Sequence, residues 1–264
     1  MKIKHYLYNS FIIEEGKLKI AIDPGAKFLY FFLLTTLIPK SEWKDITHIF
    51  VTHGDIDHYW HTDRVAELSK APVICNGAMA KDINGKKLFL GPRDKGIAFT
   101  TPIKRLHTVA VDETIQLDGI SITGIKVTHG ALTFKVGPFS KTLRPGPQER
   151  IGWGAIGFEI GIEGKTLVNL GDTLLHENEW RRIKNPDILM IPIGGKKVHN
   201  TMDGAEALKA VSIMKPALVI PCHYNCPALF SKKYNPADDA EFKEAVLKMG
   251  FECSIMKYGD EIVV

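Results

Sequence analysis

Cysteine is scarce in this chain: Cys75, Cys222, Cys226 and Cys253 are the only four in 264 residues, and their spacings do not repeat. That is too few for the disulfide framework of a small secreted domain and suits a reducing compartment. Long apolar runs are lacking as well. The longest, Phe28 to Ile38, has eleven residues and includes two threonines, against the ~20 needed to span a bilayer. The opening Met1-Lys2-Ile3-Lys4-His5 reads at once as an amphipathic strand and lacks the apolar core of a signal peptide, so a cytoplasmic location is expected. Charge of one sign is also weak. A formal net charge of +4 permits an anionic substrate. It falls short of a nucleic-acid-binding signature, and no basic or aromatic module is appended. The expected partner is a small, anionic molecule; a membrane is excluded, nucleic acid is not indicated, and a homo-oligomer is left open.

What remains is a 45% hydrophobic, 24% charged chain able to bury a sizeable core. Its length fits one α/β domain or two small ones. Tyr6 to Ile13 and Leu18 to Ile22 read as a hairpin turning at Glu15-Gly16. The aromatic stretch Ala26 to Leu37 reads as a helix packed on a sheet, with a lid or dimer face as the alternative. A helix through about Ser69, a buried strand Pro72 to Cys75, one helical turn over Gly77 to Asp82 and a turn at Asn84-Gly85 follow. Leu106 to Val111, Glu113 to Leu117 and Ile120 to Thr128 make a strand-rich block. Leu132 to Gly152, rich in Gly and Pro, reads as a loop or lid whose cations Lys135, Lys141, Arg144 and Arg150 either face substrate or are simply solvated. Trp153 to Ile162 and Lys165 to Leu170 form a hairpin around Glu163-Gly164. Asp187 to Ile193 is a buried strand. Asp203 to Met214 is a helix with Asp203 and Glu206 in a capping box. Ala217 to Pro221 is a strand, Asp238 to Met249 a helix, and Phe251 to Lys257 and Glu261 to Val264 close the chain as strands.

The chain is organised around Val51-Thr52-His53-Gly54-Asp55-Ile56-Asp57-His58, where two histidines and two aspartates fall within six residues after an apolar run. Imidazole and carboxylate are the ligands a divalent cation takes once deprotonated. A strand leading into a tight turn lets such side chains converge on one point. Asp23, in Ile22-Asp23-Pro24-Gly25, could form a turn through its own backbone or orient a metal-bound histidine. His61 either faces a pocket or sits in the first turn of the following helix. Cys222-His223-Tyr224-Asn225-Cys226 could bind a structural zinc, but the second ligand pair of such a site is missing.

The stretch His53-x-Asp55-x-Asp57-His58 resembles the HxHxDH signature of the metallo-β-lactamase superfamily, with Asp55 in the place of the second histidine. Ile22-Asp23-Pro24, His129 in Thr128-His129-Gly130, Asp172 in Gly171-Asp172-Thr173, Ile191-Pro192-Ile193-Gly194-Gly195 and Pro221-Cys222-His223 appear in family order. The branch it is most similar to is that of the UPF0173 and ascorbate-6-phosphate lactonase-like hydrolases. The resemblance implies a single domain, 1–264, with the four-layer αβ/βα sandwich: two mixed β-sheets flanked by helices, an α/β fold. It implies a metal-dependent hydrolase using a dinuclear site and a bridging hydroxide on a small anionic ester, lactone or phosphodiester. A nuclease or phosphodiesterase on nucleic acid, or a non-catalytic metal-binding sensor, are the alternatives. By family correspondence His53, Asp55 and His129 hold one metal, and Asp57, His58 and His223 the other, with Asp172 bridging. Asp57 is the expected catalytic residue, Asp23 supports the ligands from behind, and His199 and Arg144 are candidate substrate contacts. Two divalent ions are expected, zinc first. Three ligand carboxylates leave the pair less positive than the usual set, which shifts the site towards manganese or iron.

Overall fold

The computed structural model describes residues 1–29, 33–83, 86–89, 103–136, 139–146, 151–227 and 233–264. Its contacts fall into two compact units, Met1–Ala110 with Gly146–Gly154 and Lys257–Val264, and Val111–Pro145 with Ala155–Met256. Each contains one seven-stranded mixed sheet.

In the first unit the strands run in the order Leu106–Thr108, Val73–Cys75, His48–Phe50, Leu18–Ile22, Phe11–Glu15, Lys2–His5, Glu261–Val263. The first four are parallel neighbours and the rest pair antiparallel. Period-two alternation gives strand Lys2–His5, next to the edge, one buried and one half-buried face. The apolar runs His48–Phe50 and Val73–Cys75 are buried throughout, as central parallel strands must be. Ile12, Ile49, Val51, Val73 and Trp43 form the core on the side covered by helix Thr62–Ser69. On the sheet's flank, Glu42 accepts from Lys4 and Lys19 at 2.9 and 2.6 Å. Burial pushes its carboxyl up, but the two ammonium groups outweigh this and hold it down at about 2.

The second unit orders its strands Thr114–Leu117, Ile120–Ile125, Gly157–Ile162, Lys165–Asn169, Ile188–Pro192, Leu218–Cys222, Glu252–Cys253. The last four lie parallel. Helices Gly204–Met214 and Asp239–Lys248 bury Ala207, Val211, Met214, Phe242 and Val246 in a core shared with Leu189, Ile191 and Trp180. Asp203 accepts from Glu206 N while Glu206 Oε2 accepts from Asp203 N, the capping box expected from the sequence.

Both sheets place loops at the carboxyl ends of parallel strands, where α/β folds gather their ligand-binding residues. Asp23 follows strand Leu18–Ile22 and His53 follows His48–Phe50. In the second unit Asp172, Gly194-Gly195 and His223 follow three adjacent parallel strands.

Three expectations need correction. Ala26 to Leu37 is no helix: Ala26–Leu29 and Leu33–Thr36 pair antiparallel, with Tyr30, Phe31 and Phe32 outside the described residues. Leu132 to Gly152 is not simply a loop, because Leu132–Val136 and Phe139–Leu143 form a hairpin. Its Gly137-Pro138, Gln148, Glu149 and Arg150 lie outside the described residues. The single turn over Gly77 to Asp82 ends at Met79, and Ala80–Ile83 then pairs with Lys86–Phe89 around an Asn84-Gly85 that is likewise outside them.

Candidate metal centre

The candidate ligands of the first unit are arranged around Asp23. This carboxylate is fully buried and occupies the left-handed region at φ 45°, which Asp tolerates better than most residues. Its backbone N–H donates to Phe50 O at 2.9 Å, which pins the turn beside the end of the central strand. Oδ1 accepts from Thr52 N at 2.8 Å. Oδ2 accepts from Asn9 Nδ2 (2.6 Å), Thr52 Oγ1 (2.7 Å) and His58 Nδ1 (2.8 Å). Because the Thr52 hydroxyl gives its proton to Asp23, it is left to accept from His53 Nδ1 at 3.0 Å. One carboxylate therefore sets both rings, directly for His58 and through Thr52 for His53.

Those rings touch, with centroids 3.8 Å apart. With Nδ1–H committed to oxygen on each, a neutral imidazole carries its lone pair on Nε2. His53 Nε2 lies 3.5 Å from Asp55 Oδ2, and His58 Nε2 lies 3.5 Å from Asp57 Oδ2. Asp57 and His58 share the four-residue helix Ile56–Tyr59, and Asp55 caps it. Gly25 is required beneath this turn: a Cβ there would stand 2.0 Å from Asp57 O. A strap from far along the chain closes the motif. Gly152 N donates to Asp55 Oδ1 at 2.8 Å and Trp153 O accepts from Gly54 N at 2.9 Å.

His61 caps helix Thr62–Ser69 at φ 70°. It is buried, with ring centroids 5.9 Å from Trp43 and 6.4 Å from Trp60. Burial pushes its pKa down to about 4, assisted by the positive charges of Arg64 and Lys40. His61 thus stands just ahead of the helix's first turn, packed between two tryptophans.

The second unit supplies His129, Asp172 and His223, all buried. His129 Nδ1 donates to Gly130 O at 2.6 Å, so its Nε2 also carries the lone pair, 3.7 Å from Asp172 Oδ2. His223 Nε2 lies 3.0 Å from the same oxygen. Thr173 N donates to Thr201 Oγ1, and Met202 N donates to Thr173 O, tying the Gly-Asp-Thr turn to the loop that carries His199. The His199 side chain is exposed, and so is Arg144, which follows strand Phe139–Leu143. Among the described residues, no cluster able to hold a metal includes Cys222 or Cys226. All four thiols are buried and reduced, and burial pushes Cys75 up to about 12.

The donor set fits a divalent metal. Ligand atoms of His53 lie within 4.8 Å of those of both Asp55 and His58, and Asp57 is equally close to His58. A neutral Nε2 lone pair facing a carboxylate oxygen is repulsive unless positive charge lies between them, and that pairing occurs in both units. Imidazole and carboxylate together suit zinc, manganese or iron.

The sequence did not single out Thr52, Asn9, Gly152 or Asn235, which hold the ligands in place. The repeated Thr-His-Gly was a signal for Thr52. Its counterpart Thr128 acts differently, its hydroxyl hydrogen-bonding His176 Nε2 at 3.0 Å rather than its neighbouring histidine.

Comparison with known proteins gives the family. The model of the β-lactamase superfamily domain matches residues 19–224. A UPF0173 metal-dependent hydrolase of Pyrococcus abyssi is 30% identical over 269 residues, covering 99% of each chain. Among solved structures, Igni18, a metallo hydrolase of Ignicoccus hospitalis, superposes with TM-score 0.71 at 21% identity over 99% of this chain and 97% of that one. The metallo-β-lactamase fold protein YhfI of Bacillus subtilis gives TM-score 0.64 at 13% identity, over 99% and 98%. The chain belongs to the β-lactamase superfamily and, within it, to the UPF0173 metal-dependent hydrolases. It is thus a metal-dependent hydrolase with the two large mixed sheets of the metallo-β-lactamase fold.

Proposed function

We propose that this chain is a cytoplasmic hydrolase with a dinuclear metal site, cleaving a small anionic ester, lactone or phosphodiester, and that its two units act as one domain, 1–264. His53, Asp55 and His129 would hold one cation and Asp57, His58 and His223 the other, with Asp172 shared. One observation carries the reading. In His53, His58 and His129 the Nδ1–H is donated to an oxygen, which leaves Nε2 basic beside a carboxylate. When bound, two divalent cations supply a hydroxide nucleophile at neutral pH and a Lewis acid for the developing oxyanion.

The chain's own groups do the rest. Asp57 orients the nucleophile and takes its proton. Its carboxylate faces His58 and its carbonyl sits against Gly25, so it is held from both sides. Arg144 and His199, exposed on the second unit, are the groups we assign to the substrate's anionic end. Zinc is the expected metal, with Asp55 widening the choice towards manganese and iron. Four buried, reduced thiols are in keeping with a reducing compartment.

The test is elemental analysis of protein purified without added metal, paired with a screen of phosphodiester, lactone and thioester substrates. About two metal equivalents and turnover that Asp57→Ala abolishes, with the fold retained, are expected. Protein that neither carries metal nor takes it up on titration, or Asp57→Ala that retains turnover on every substrate, would end this reading.

A further inference from the structure

His223 is held differently from the other three histidines. Its Nδ1 faces a nitrogen, Asn235 Nδ2, at 2.9 Å. Both side chains are buried, and among the described residues Asn235 Oδ1 has no hydrogen-bond partner. An amide NH2 only donates, so in this arrangement Nδ1 accepts and a neutral ring carries its proton on Nε2. That proton points at Asp172 Oδ2, 3.0 Å away, where it makes a good hydrogen bond. The lone pair a metal would need is then occupied.

We propose that Asn235 is the positioning residue that selects the tautomer of His223, and that its amide turns over when metal binds. The proposal rests on the reading of His223 as a ligand. For Nε2 to ligate, the proton must move from Nε2 to Nδ1, and a Nδ1–H cannot face an NH2 group. Turning the amide by 180° about its terminal torsion brings Oδ1 to the ring, where it accepts from Nδ1–H. No proton enters or leaves the pair; one moves across the ring as the acceptor and donor ends exchange. The two amide ends have nearly the same shape, so the chain need not shift.

The surroundings fix everything but that torsion. Asn235 sits at φ 50°, a left-handed position that Asn tolerates. Its carbonyl accepts from Asn225 N at 2.8 Å. Gly194 packs so close that a Cβ there would stand 2.4 Å from Asn235 Cβ and 2.5 Å from His223 O. The backbone and Cβ are clamped, and besides the ring the amide has only a long contact, Nδ2 donating to His223 O at 3.5 Å, to give up as it turns.

The test uses the full chain stripped of metal. Zinc affinity is measured by competition with a chromophoric chelator for wild type, His223→Ala, Asn235→Gly and Asn235→Asp. Glycine keeps the left-handed backbone without the amide, and aspartate keeps only acceptors. His223→Ala should weaken binding, Asn235→Gly should weaken it about 10–100-fold, and Asn235→Asp should restore it or better. Long-range proton–nitrogen spectra of wild type should show His223 protonated on Nε2 without zinc and on Nδ1 with it. If His223→Ala loses zinc but Asn235→Gly binds like wild type, the role of Asn235 is refuted while the ligand reading stands. If His223→Ala binds like wild type, the ligand reading fails and this proposal with it. Should Asn235→Gly not fold, the wild-type spectra decide: a loaded His223 lacking a proton on Nδ1 overturns the proposal.

Discussion

Asp23 offers the sharpest test of how the first unit's candidate ligands are held. Replacing it with alanine removes the acceptor of four donors: Asn9 Nδ2, Thr52 N, Thr52 Oγ1 and His58 Nδ1, at 2.6 to 2.8 Å. The position is fully buried, so water has no access to replace the lost oxygens. Each stranded donor costs about 1–3 kcal/mol, so four amount to at least about 4 kcal/mol. Alanine at φ 45° adds roughly 1–2 kcal/mol of backbone strain. Against a total stability of about 5–15 kcal/mol, Asp23→Ala should be largely unfolded or close to it. Asp23→Asn is milder and more informative. Its one oxygen best takes the Oδ2 position, where it keeps three of the four donors. Its NH2 then opposes Thr52 N–H across what was a 2.8 Å bond. One donor–donor conflict should cost about 1–3 kcal/mol in urea unfolding followed by circular dichroism. His58 exchanges a charged acceptor for a neutral one, its Nε2 becomes less basic, and zinc affinity should fall about tenfold or more in a chelator competition. An Asp23→Asn protein with wild-type midpoint and wild-type zinc affinity would refute the reasoning.

Further outcomes follow from other contacts. Asp55→His, which installs the histidine usual in the superfamily, should lower stability by about 1–3 kcal/mol, because Gly152 N–H loses its carboxylate acceptor; urea titration of metal-free protein reads it. His61, with its pKa near 4, stays neutral in the fold at pH values where the unfolded chain, with a pKa of 6.5, already protonates it. The unfolded chain binds the extra proton first, so stability from this group is complete above pH 6.5 and is lost as pH falls towards 4. His61→Asn, which tolerates φ 70°, should lose less stability between pH 7.5 and 4.5 than wild type does, in parallel denaturant titrations. Trp180, fully buried with Nε1 donating to Lys126 O at 2.8 Å, should cost about 3–5 kcal/mol as Trp180→Ala, and Trp180→Phe should cost clearly less.

The sequence was most legible where one interaction dominates. Central strands such as Ile188–Pro192 are buried on both faces and so are apolar without interruption. Helix Gly204–Met214 announces its start through Asp203 and Glu206, whose bonds are local. Ala26 to Leu37 misled because its apolar residues come in one block, and a block lacks the periodicity that separates strand from helix. Gly and Pro in 132–152 suggested a loop, while Thr133 and Thr142, which pair across the hairpin at 2.9 Å, gave no local sign of each other. The side chains proposed as ligands stand in motifs and could be named. What orients them could not, because those bonds join distant residues: Asn9 to Asp23, Thr52 to Asp23, Asn235 to His223. Nothing in Asn235-Pro236 points to a histidine twelve residues earlier.

The strap across the first motif bears on the order of events in folding. Asp55 is fastened by Gly152, 97 positions further along the chain. Closing so long a loop is entropically slow, and contacts of this separation form after local ones. The turn from Thr52 to Tyr59 can therefore adopt its shape early, from Asp23 and its own helix bonds, while Asp55 acquires its fixed orientation only once 151–153 has returned. A chain still emerging during synthesis would present His53, Asp57 and His58 before Asp55 is secured. An ion captured at that stage would meet a looser set of donors than the finished protein offers.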